Sequence, residues 1–527
     1  LLAISGLHVG LIIALFYFLA VKTGWLTRES IQSCIMVFLP LYAVLAGGAP
    51  SVWRAALLAI FLLIGNRLKL NLSLTDCLSL VFIGLMIGDP RLILQIGFQF
   101  SYLVTFGLLL SKQILAKPYS WLYTSMAVSL IAQLTILPVQ LDNFYFFQPL
   151  SVLVNLLIVP YFTGFVMPCL LTLEFSVLLF PPLATMLDTL FVRVHNRFLL
   201  FLEHLDLGFD YSWFTGDFPM VMYYPYFFLL IVLMANLADE KRIRALISGL
   251  MIVVLLVGIS IVPYTNPNGK VTMLDVGQGD CFVVELPYRK GVVVIDAAGS
   301  AAADFHSPTD KIYEQVIKPY LHYRGITTLD ALFVTHDDLD HDGSTAYLLK
   351  DFQVEKFFVN PYYTVNSRNK NALVKREIKT FRLDAGQSVT VGGQTFHVLS
   401  PSQDKRDSNE NSLVLLSELG GKRWLFTGDI GEKTEKAMLQ AYPMLDIDVL
   451  KVAHHGSKTS TSAAFLEQTT PEVGWISAGR GNRYDHPHQE VVKKLGQSGV
   501  KVMRTDKRGS IWYSFYKDHG TFYSFFP

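Results

Sequence analysis

Residues 334–344 read VTHDDLDHDGS, and how that stretch is placed decides how the polar half of the chain is read. The run Ala331–Thr335 is a predicted strand. Within six positions of its end come His336, Asp338, Asp340 and His341, with Asp337 and Asp342 interleaved. A strand end passing into a helix opened by Gly343 can aim such a cluster inward around a cation; the alternative is a solvated acidic turn, which would not need two flanking histidines. Three more apolar runs end on groups of the same kind: VVVIDAA on Asp296, LFTGDI on Asp429, and VLKVAHHGS on His454 and His455. Carboxylates and imidazoles at successive strand ends suit one shared site at a sheet edge. Two divalent ions held about 3.5–4 Å apart at such an edge can activate water and clamp a phosphodiester oxygen.

Working outward from this stretch, the pattern from Lys270 onward is one of short strands alternating with short helices. KVTMLDVG, CFVVELP and GVVVIDAAG read as strands, and the Gly-Gly pairs at 392 and 420 sit between apolar runs as hairpin turns. Helices are predicted over Gly343–Leu349, Gly431–Leu439, Ser462–Gln468 and His488–Leu495, and surface loops over Tyr362–Lys375 and Ser400–Asn411. Sheets with helices packed outside them follow. Toward the start of the chain the composition changes. Of 44 Lys+Arg and 43 Asp+Glu in 527 residues, only 13 and 12 lie at or before Val262, as do only three of the 13 histidines, His8, His195 and His204. That division excludes a uniform soluble enzyme and a pure membrane bundle, and 51% hydrophobic content excludes a disordered chain. Two domains are expected, 1–262 and 263–527. Four cysteines make no disulfide framework, and a net charge of +1 exerts no global pull on nucleic acid.

A bilayer core about 30 Å thick needs about 20 apolar helical residues. Spans are predicted near Leu1–Val21, Ile31–Ala46, Val52–Gly65, Thr75–Gly88, Ile93–Leu110, Trp121–Val139, Tyr223–Leu237 and Ala245–Val262. Between Leu150 and Leu202, Pro160, Pro168, Pro181 and Pro182 interrupt an apolar run, which predicts broken or re-entrant helices around a cavity. The helix Leu183–Leu205, carrying Arg193, His195, Arg197 and Glu203, reads as interfacial. Lys22, Arg28, Arg67, Lys69, Lys112, Lys117 and the Lys241–Arg244 group fall in alternate loops, and Asp142, Asp206, Asp210 and Asp217 in the others. Basic loops stay cytoplasmic, so with the spans as drawn and an even number of crossings between Leu150 and Leu202, the residues after Val262 are expected outside the cytoplasmic membrane. His8, Arg54, Gln99 and Asn155 are candidates for lining a polar path, against snorkelling or interhelical hydrogen bonds. The chain opens on Leu1, so a fragment of a longer protein is expected.

The motif set LDVGQGD, THDDLDHDG, NSLVL, FTGDI, VLKVAHHGS and RYDHPH, together with LLAISGLHVGLI in the apolar half, resembles the ComEC-type competence DNA-uptake channel family. Its polar half resembles the metallo-β-lactamase superfamily, whose His-x-His-x-Asp-His pattern here has Asp338 in place of the second histidine. The resemblance covers nearly the whole chain. It implies a polytopic helical membrane domain followed by an αββα-sandwich nuclease. It also implies His336, Asp338, Asp340 and His341 as metal ligands and Asp429 as the bridge between ions. One of the pair His454 and His455, with His455 preferred, would complete the set, and Asp296 would orient the metal loop. Asp275, Gln278 and Asp280 lie on a glycine-rich turn that either approaches the site or is a plain turn. Where many superfamily members have another histidine, this sequence offers Asn409, Asn411 and Ser412. His486 and His488 are expected as proton donor or phosphate contact, or as structural loop histidines.

The oxygen donor of Asp338 favours Mn²⁺ or Mg²⁺, with Zn²⁺ the histidine-rich alternative. The function expected is an inner-membrane channel that passes single-stranded DNA into the cytoplasm while an outer metal-dependent nuclease degrades the other strand. Its partners are duplex DNA outside, single-stranded DNA in the channel, membrane lipid, a DNA receptor and cytoplasmic translocation partners. Lys501, Arg504, Lys507 and Arg508, on the expected final hairpin, are basic candidates for DNA or a solvated face. The rivals are a membrane-anchored phosphodiesterase for an envelope substrate and a channel with an inactive domain.

Overall fold

The computed structural model describes residues 6–24, 27–208, 212–301 and 308–527. Leu1–Ser5, Asp210 and the side chains of His8 and Asp206 lie outside that description. The chain divides into two compact units, Leu1–Leu256 and Val257–Pro527. The division falls inside the apolar helix Arg242–Thr265, which carries through Val262.

The first unit is helical. Thr27 starts the helix Arg28–Leu45 by accepting the Ser30 amide, and Ser73 with Asp76 closes a capping box on Leu74–Gly88. Among the described residues, five helices are long and apolar enough to cross a membrane: Arg28–Leu45, Trp121–Phe144, Ser151–Val177, Met220–Ala238 and Arg242–Thr265. Leu74–Gly88 and Ile96–Leu110 are shorter apolar helices. Two expectations need correction here. Pro160 and Pro168 do not break the third long helix, because a π-helical turn at Phe162–Val166 takes up the displaced backbone bonds between Ser151–Tyr161 and Met167–Leu179. The break comes at Phe180, ahead of Pro181, and the next helix, Pro181–Gly208, is continuous. The helix expected from Ile93 starts instead at Ile96, after a 3₁₀ turn at Pro90–Leu94.

The second unit is a four-layer sandwich. One sheet has eight strands in the order Lys379–Arg382, Lys356–Val359, Ala331–Val334, Val292–Ile295, Phe282–Glu285, Gly269–Met273, Ile511–Tyr516 and His519–Ser524. The other has seven: Ser388–Val391, Gln394–Ser400, Val414–Leu419, Lys422–Phe426, Val449–Lys451, Val473–Ile476 and Lys501–Arg504. Both Gly-Gly pairs are hairpin turns, with positive φ at Gly392, Gly393, Gly420 and Gly421. Between the sheets lies a core of large rings. Phe282 meets Phe426 edge-on at 5.2 Å, and Trp424 meets Trp475 at 4.9 Å. Burying each such side chain contributes about 1.5–3 kcal/mol, and that layer holds the sheets face to face. Helices cover both outer faces, through Tyr313, Leu321 and Leu348 on the first sheet and Met438, Phe465 and Leu495 on the second. The segment expected as a loop at Tyr362–Lys375 contains a helix, Ser367–Arg376, capped by Asn366 and anchored by the buried Asn369 and Leu373. Lys501 and Arg504 lie on the last strand of the second sheet, and Lys507 and Arg508 on the turn after it, not on the final hairpin.

Candidate metal centre

Parallel pairing brings the strands Val292–Ile295 and Ala331–Val334 to a common C-terminal edge. The same holds for Lys422–Phe426, Val449–Lys451 and Val473–Ile476 in the facing sheet. Asp296, Thr335 and His336 follow the first two, and Asp429, His454, His455 and Ser477 follow the other three. Such an edge is where open parallel sheets place ligand sites. Backbone strain collects there: Asp296, His454 and His455 have φ of 62°, 49° and 53° without being glycine. Residues held this way cost about 1–3 kcal/mol each and persist only where their surroundings impose them.

Three imidazoles are oriented by the same device. The His341 Nδ1 lies 2.8 Å from Asp296 Oδ2, and His455 Nδ1 lies 3.0 Å from the Ser477 carbonyl, so both Nδ1 atoms carry the proton and donate it. Thr335 Oγ1 donates to Asp296 Oδ2 at 2.9 Å and therefore accepts from His336 Nδ1 at 3.0 Å. Every Nε2 is left facing the cluster. His336 Nε2 is buried with no hydrogen-bond partner, and the Nε2 atoms of His341 and His455 face each other at 3.3 Å. Asp429 reaches His341 Nε2 with one oxygen and His455 Nε2 with the other, both at 3.3 Å, and Asp340 Oδ2 stands 3.3 Å from His455 Nε2. Asp340, His341, Asp429 and His455 thus converge as a four-donor group of the kind that holds a divalent ion. The donors fit such an ion: two opposed nitrogens and a buried orphan nitrogen need a cation or extra protons. Asp338 Oδ2 lies 3.7 Å from His336 Nε2, on the flank of the group.

The electrostatics follow. Burial alone would keep His341 neutral, yet Asp429 and Asp296 push its pKa well above the usual imidazole range. Burial opposes charge on His455 as well, and Asp429 and Asp280 overcome it, raising it to about 9. Burial would raise Asp429, but His455, His341 and Lys451 hold it well below the carboxylate range. His336 is depressed by burial and by His341.

Sequence reasoning missed Lys451. Its buried ammonium contacts Asp280 Oδ2 at 2.6 Å, the Gly428 carbonyl at 2.8 Å and Asp429 Oδ1 at 3.1 Å. The signal was a lone lysine inside the apolar run VLKVA, where a strand buried on both faces has no solvent to offer it. Asp280, on the glycine-rich turn, is the buried partner of Lys451 and sits 3.5 Å from His455 Nδ1. The turn approaches closely because Gly279, at φ 125°, lies where a Cβ would strike the Asp340 carbonyl at 2.4 Å. Gln278 Oε1 is buried without a partner, whereas Asp275 is half-buried near Arg480 and Asp506, its carboxyl raised by burial.

Other expected residues fall outside the four-donor group. Asn411 turns away, accepting the Lys405 amide and donating to Asp404 Oδ1 at 2.8 Å; its neighbour Ser412 is the one that reaches His336 Nδ1, at 3.3 Å. His454 is partly exposed, with Nε2 4.0 Å from Asp429. His486 lies at the rim with its ring centre 6.4 Å from that of His455, its Nδ1 buried and unpartnered, and its pKa pushed down to about 4 by burial and by His455. His488 stacks edge-on against His486 at 5.1 Å, and the fully exposed Asp485 is 4.0 Å from it.

In the helical unit, Arg54 is buried and donates from Nε to Ser101 Oγ at 2.7 Å. Gln99 donates to the Ile93 carbonyl at 2.7 Å, a local bond that closes the 3₁₀ turn. Asn155 is half-buried on Ser151–Tyr161.

Residues 1–239 match the Competence protein family, and residues 274–480 match the Metallo-beta-lactamase superfamily. The chain is similar to ComE operon protein 3 of Bacillus subtilis, with 34% identity covering 99% of this chain and 68% of that protein. It is also similar to Recombination protein 2 of Haemophilus influenzae, at 29% identity over 98% of this chain and 68% of that one. Competence protein ComA of Neisseria gonorrhoeae matches at 27% identity over 97% of this chain and 70% of that one.

Proposed function

The chain belongs to the competence-protein family of ComEC, ComA and Rec2, and from that membership we propose that it takes DNA across the cytoplasmic membrane as a single strand while its sandwich domain degrades the other strand. The apolar helices are those of an integral membrane protein, and the alternation of basic loops supports a sandwich domain outside the cytoplasm. The observation that carries the nuclease reading is the convergence of two Nδ1-tethered imidazoles, His341 and His455, on Asp340 and Asp429, with the tethered ring of His336 packed against His341.

In this reading Asp340, His341, Asp429 and His455 hold a divalent ion, and His336 and Asp338 offer donors beside it. The ion supplies Lewis acidity and a water nucleophile at neutral pH. Asp296, Ser477 and Thr335 fix which nitrogen of each histidine faces the site. Lys451 balances Asp280 and Asp429, so the cluster does not repel itself. His486, held neutral at the rim, contacts a phosphate oxygen or gives a proton to the leaving oxygen, with His488 beside it. Carboxylate oxygens make the site harder than an all-histidine one, which favours Mn²⁺ or Mg²⁺ over Zn²⁺.

The test is cleavage of an end-labelled duplex by the full chain in lipid discs, with each metal added in turn. Manganese- or magnesium-dependent cleavage that vanishes in Asp340→Ala/His341→Ala supports the reading. Cleavage with zinc alone overturns the metal assignment, and cleavage unaltered by the double substitution overturns the site. Normal entry of fluorescent DNA into cells lacking the protein would remove the uptake reading.

A further inference from the structure

The segment Asn366–Arg382 carries six basic residues, Arg368, Lys370, Lys375, Arg376, Lys379 and Arg382, against one acid, Glu377. All six are exposed. The two arginines at its far end donate to backbone carbonyls rather than carboxylates: Arg376 to Lys350, and Arg382 to Asn360 and Pro361. Among the described residues no ion pair involves Lys370, Lys375, Arg376, Lys379 or Arg382, while Lys318, Arg324, Lys422 and Arg423 of the same domain all have acidic partners. Lys379 also lies directly beside Lys356 in the parallel register of the outermost strands. Like charges placed opposite one another destabilise a sheet, so an uncompensated row of this kind asks for an anion.

The row is bolted to the metal loop. Asn366 and Asn369 donate to the Asp342 carboxylate at 2.8 and 2.9 Å, and the Thr364 amide donates to Asp337 at 3.3 Å. Asp337 and Asp342 flank the candidate ligands in sequence, so the basic helix starts at the site's edge. A groove of about 760 Å³ runs between that helix and the edge strand; Lys370 and Arg382 line it with Thr364 and Thr380, beside Glu377 and apolar residues such as Leu373 and Ile378. The helix Ser367–Arg376, 10 residues long, spans about 15 Å, the length of about four phosphates along one strand.

We propose that the groove and basic face of Asn366–Arg382 bind the phosphate backbone of DNA and hold it in register with the metal centre. The inference rests on the DNA reading above. Its rival is edge protection, because lysines on an outermost strand deter sheet-to-sheet aggregation. Charge reversal separates the two: glutamate guards an edge as well as lysine does and repels DNA.

Anisotropy of a labelled 20-base-pair duplex is measured with the full chain in lipid discs, in chelator so that nothing is cleaved, from 50 to 200 mM salt. K370E/K375E/K379E is compared with the parent and with a control reversal of three exposed lysines elsewhere, K433E/K436E/K517E. The expected result is at least about tenfold weaker binding for the first variant, and a log–log salt slope shallower by about 2–3, with an unchanged melting transition. The control stays within about threefold of the parent. A first variant that binds like the parent, or a control weakened equally, overturns the proposal while leaving the DNA reading intact. A parent that binds no duplex at all removes the DNA reading and this proposal with it.

Discussion

The strand Phe282–Glu285 has a buried carboxylate at each end, Asp280 just before it and Glu285 as its last residue, and the two ends are finished in opposite ways. At the Glu285 end the carboxylate is saturated. Arg324 grips both oxygens at 2.8 and 3.1 Å, and Arg289 adds a contact at 3.2 Å. Lys270 lies against the Trp512 ring at 4.9 Å. At the Asp280 end, Lys451 neutralises acid in the same manner, yet three imidazole Nε2 atoms point into the cluster and one has no partner. Burial of charge is therefore common to a structural knot and to a site. Unfilled donor capacity, with each ligand pre-oriented from behind, is what separates them.

That contrast can be broken most visibly at Glu285. Replacing it with alanine leaves Arg289 and Arg324 without their counter-charge and is expected to cost about 3–5 kcal/mol in the unfolding of the domain. Uptake of Mn²⁺ by the folded protein stays at the parent level. A denaturant titration and a metal titration on one preparation check both halves, and lost metal uptake in the folded variant would mean the two ends are not independent.

Asp296→Asn probes the other end. Its amide, turned toward His341 Nδ1, would force the proton onto Nε2 and block the lone pair facing the cluster. Metal affinity is expected to fall about 10–100-fold with little change in folding, read by calorimetric titration. An unchanged affinity would show that the tautomer of His341 does not matter.

A smaller effect concerns Lys270, whose pKa is pushed down to about 8 by burial and by Arg324. Its folded value lies below the unfolded value of about 10.5, so the unfolded chain binds more protons between those two pH values, and stability rises with pH across that window. Below pH 8 the charged lysine is a net cost. Lys270→Met is expected to stabilise the domain by about 1–2 kcal/mol at pH 7, and by much less at pH 10.5. Equal effects at both pH values would place the cause in packing instead.

The sequence made the strand-end ligands legible because His and Asp at the close of apolar runs combine two strong signals, a period and a chemistry. The rest was hidden for physical reasons. Lys451 stands out as a lone charge in the run VLKVA, but its partner Asp280 lies on a turn of the facing sheet, far away in sequence. The partner that orients His455 is a backbone carbonyl on another strand, and a carbonyl has no letter in a sequence. Asn411 looks like a ligand by position, yet it caps its own loop with Asp404. Ser367–Arg376 escaped because it is polar nearly all round, with only Asn369 and Leu373 turned inward. Pro160 looked like a break because proline usually removes a helical hydrogen bond, and the π-helical turn beside it accommodates that loss.

The central claim, that orphaned donors at the Asp280 end hold a divalent ion, is tested most directly by titrating the metal-free chain in lipid discs with Mn²⁺ and counting bound ions after gel filtration. The parent is predicted to retain at least one ion per chain and Asp429→Ala to retain none while remaining folded. A parent that retains none, or an Asp429→Ala variant that retains as many, would contradict the account.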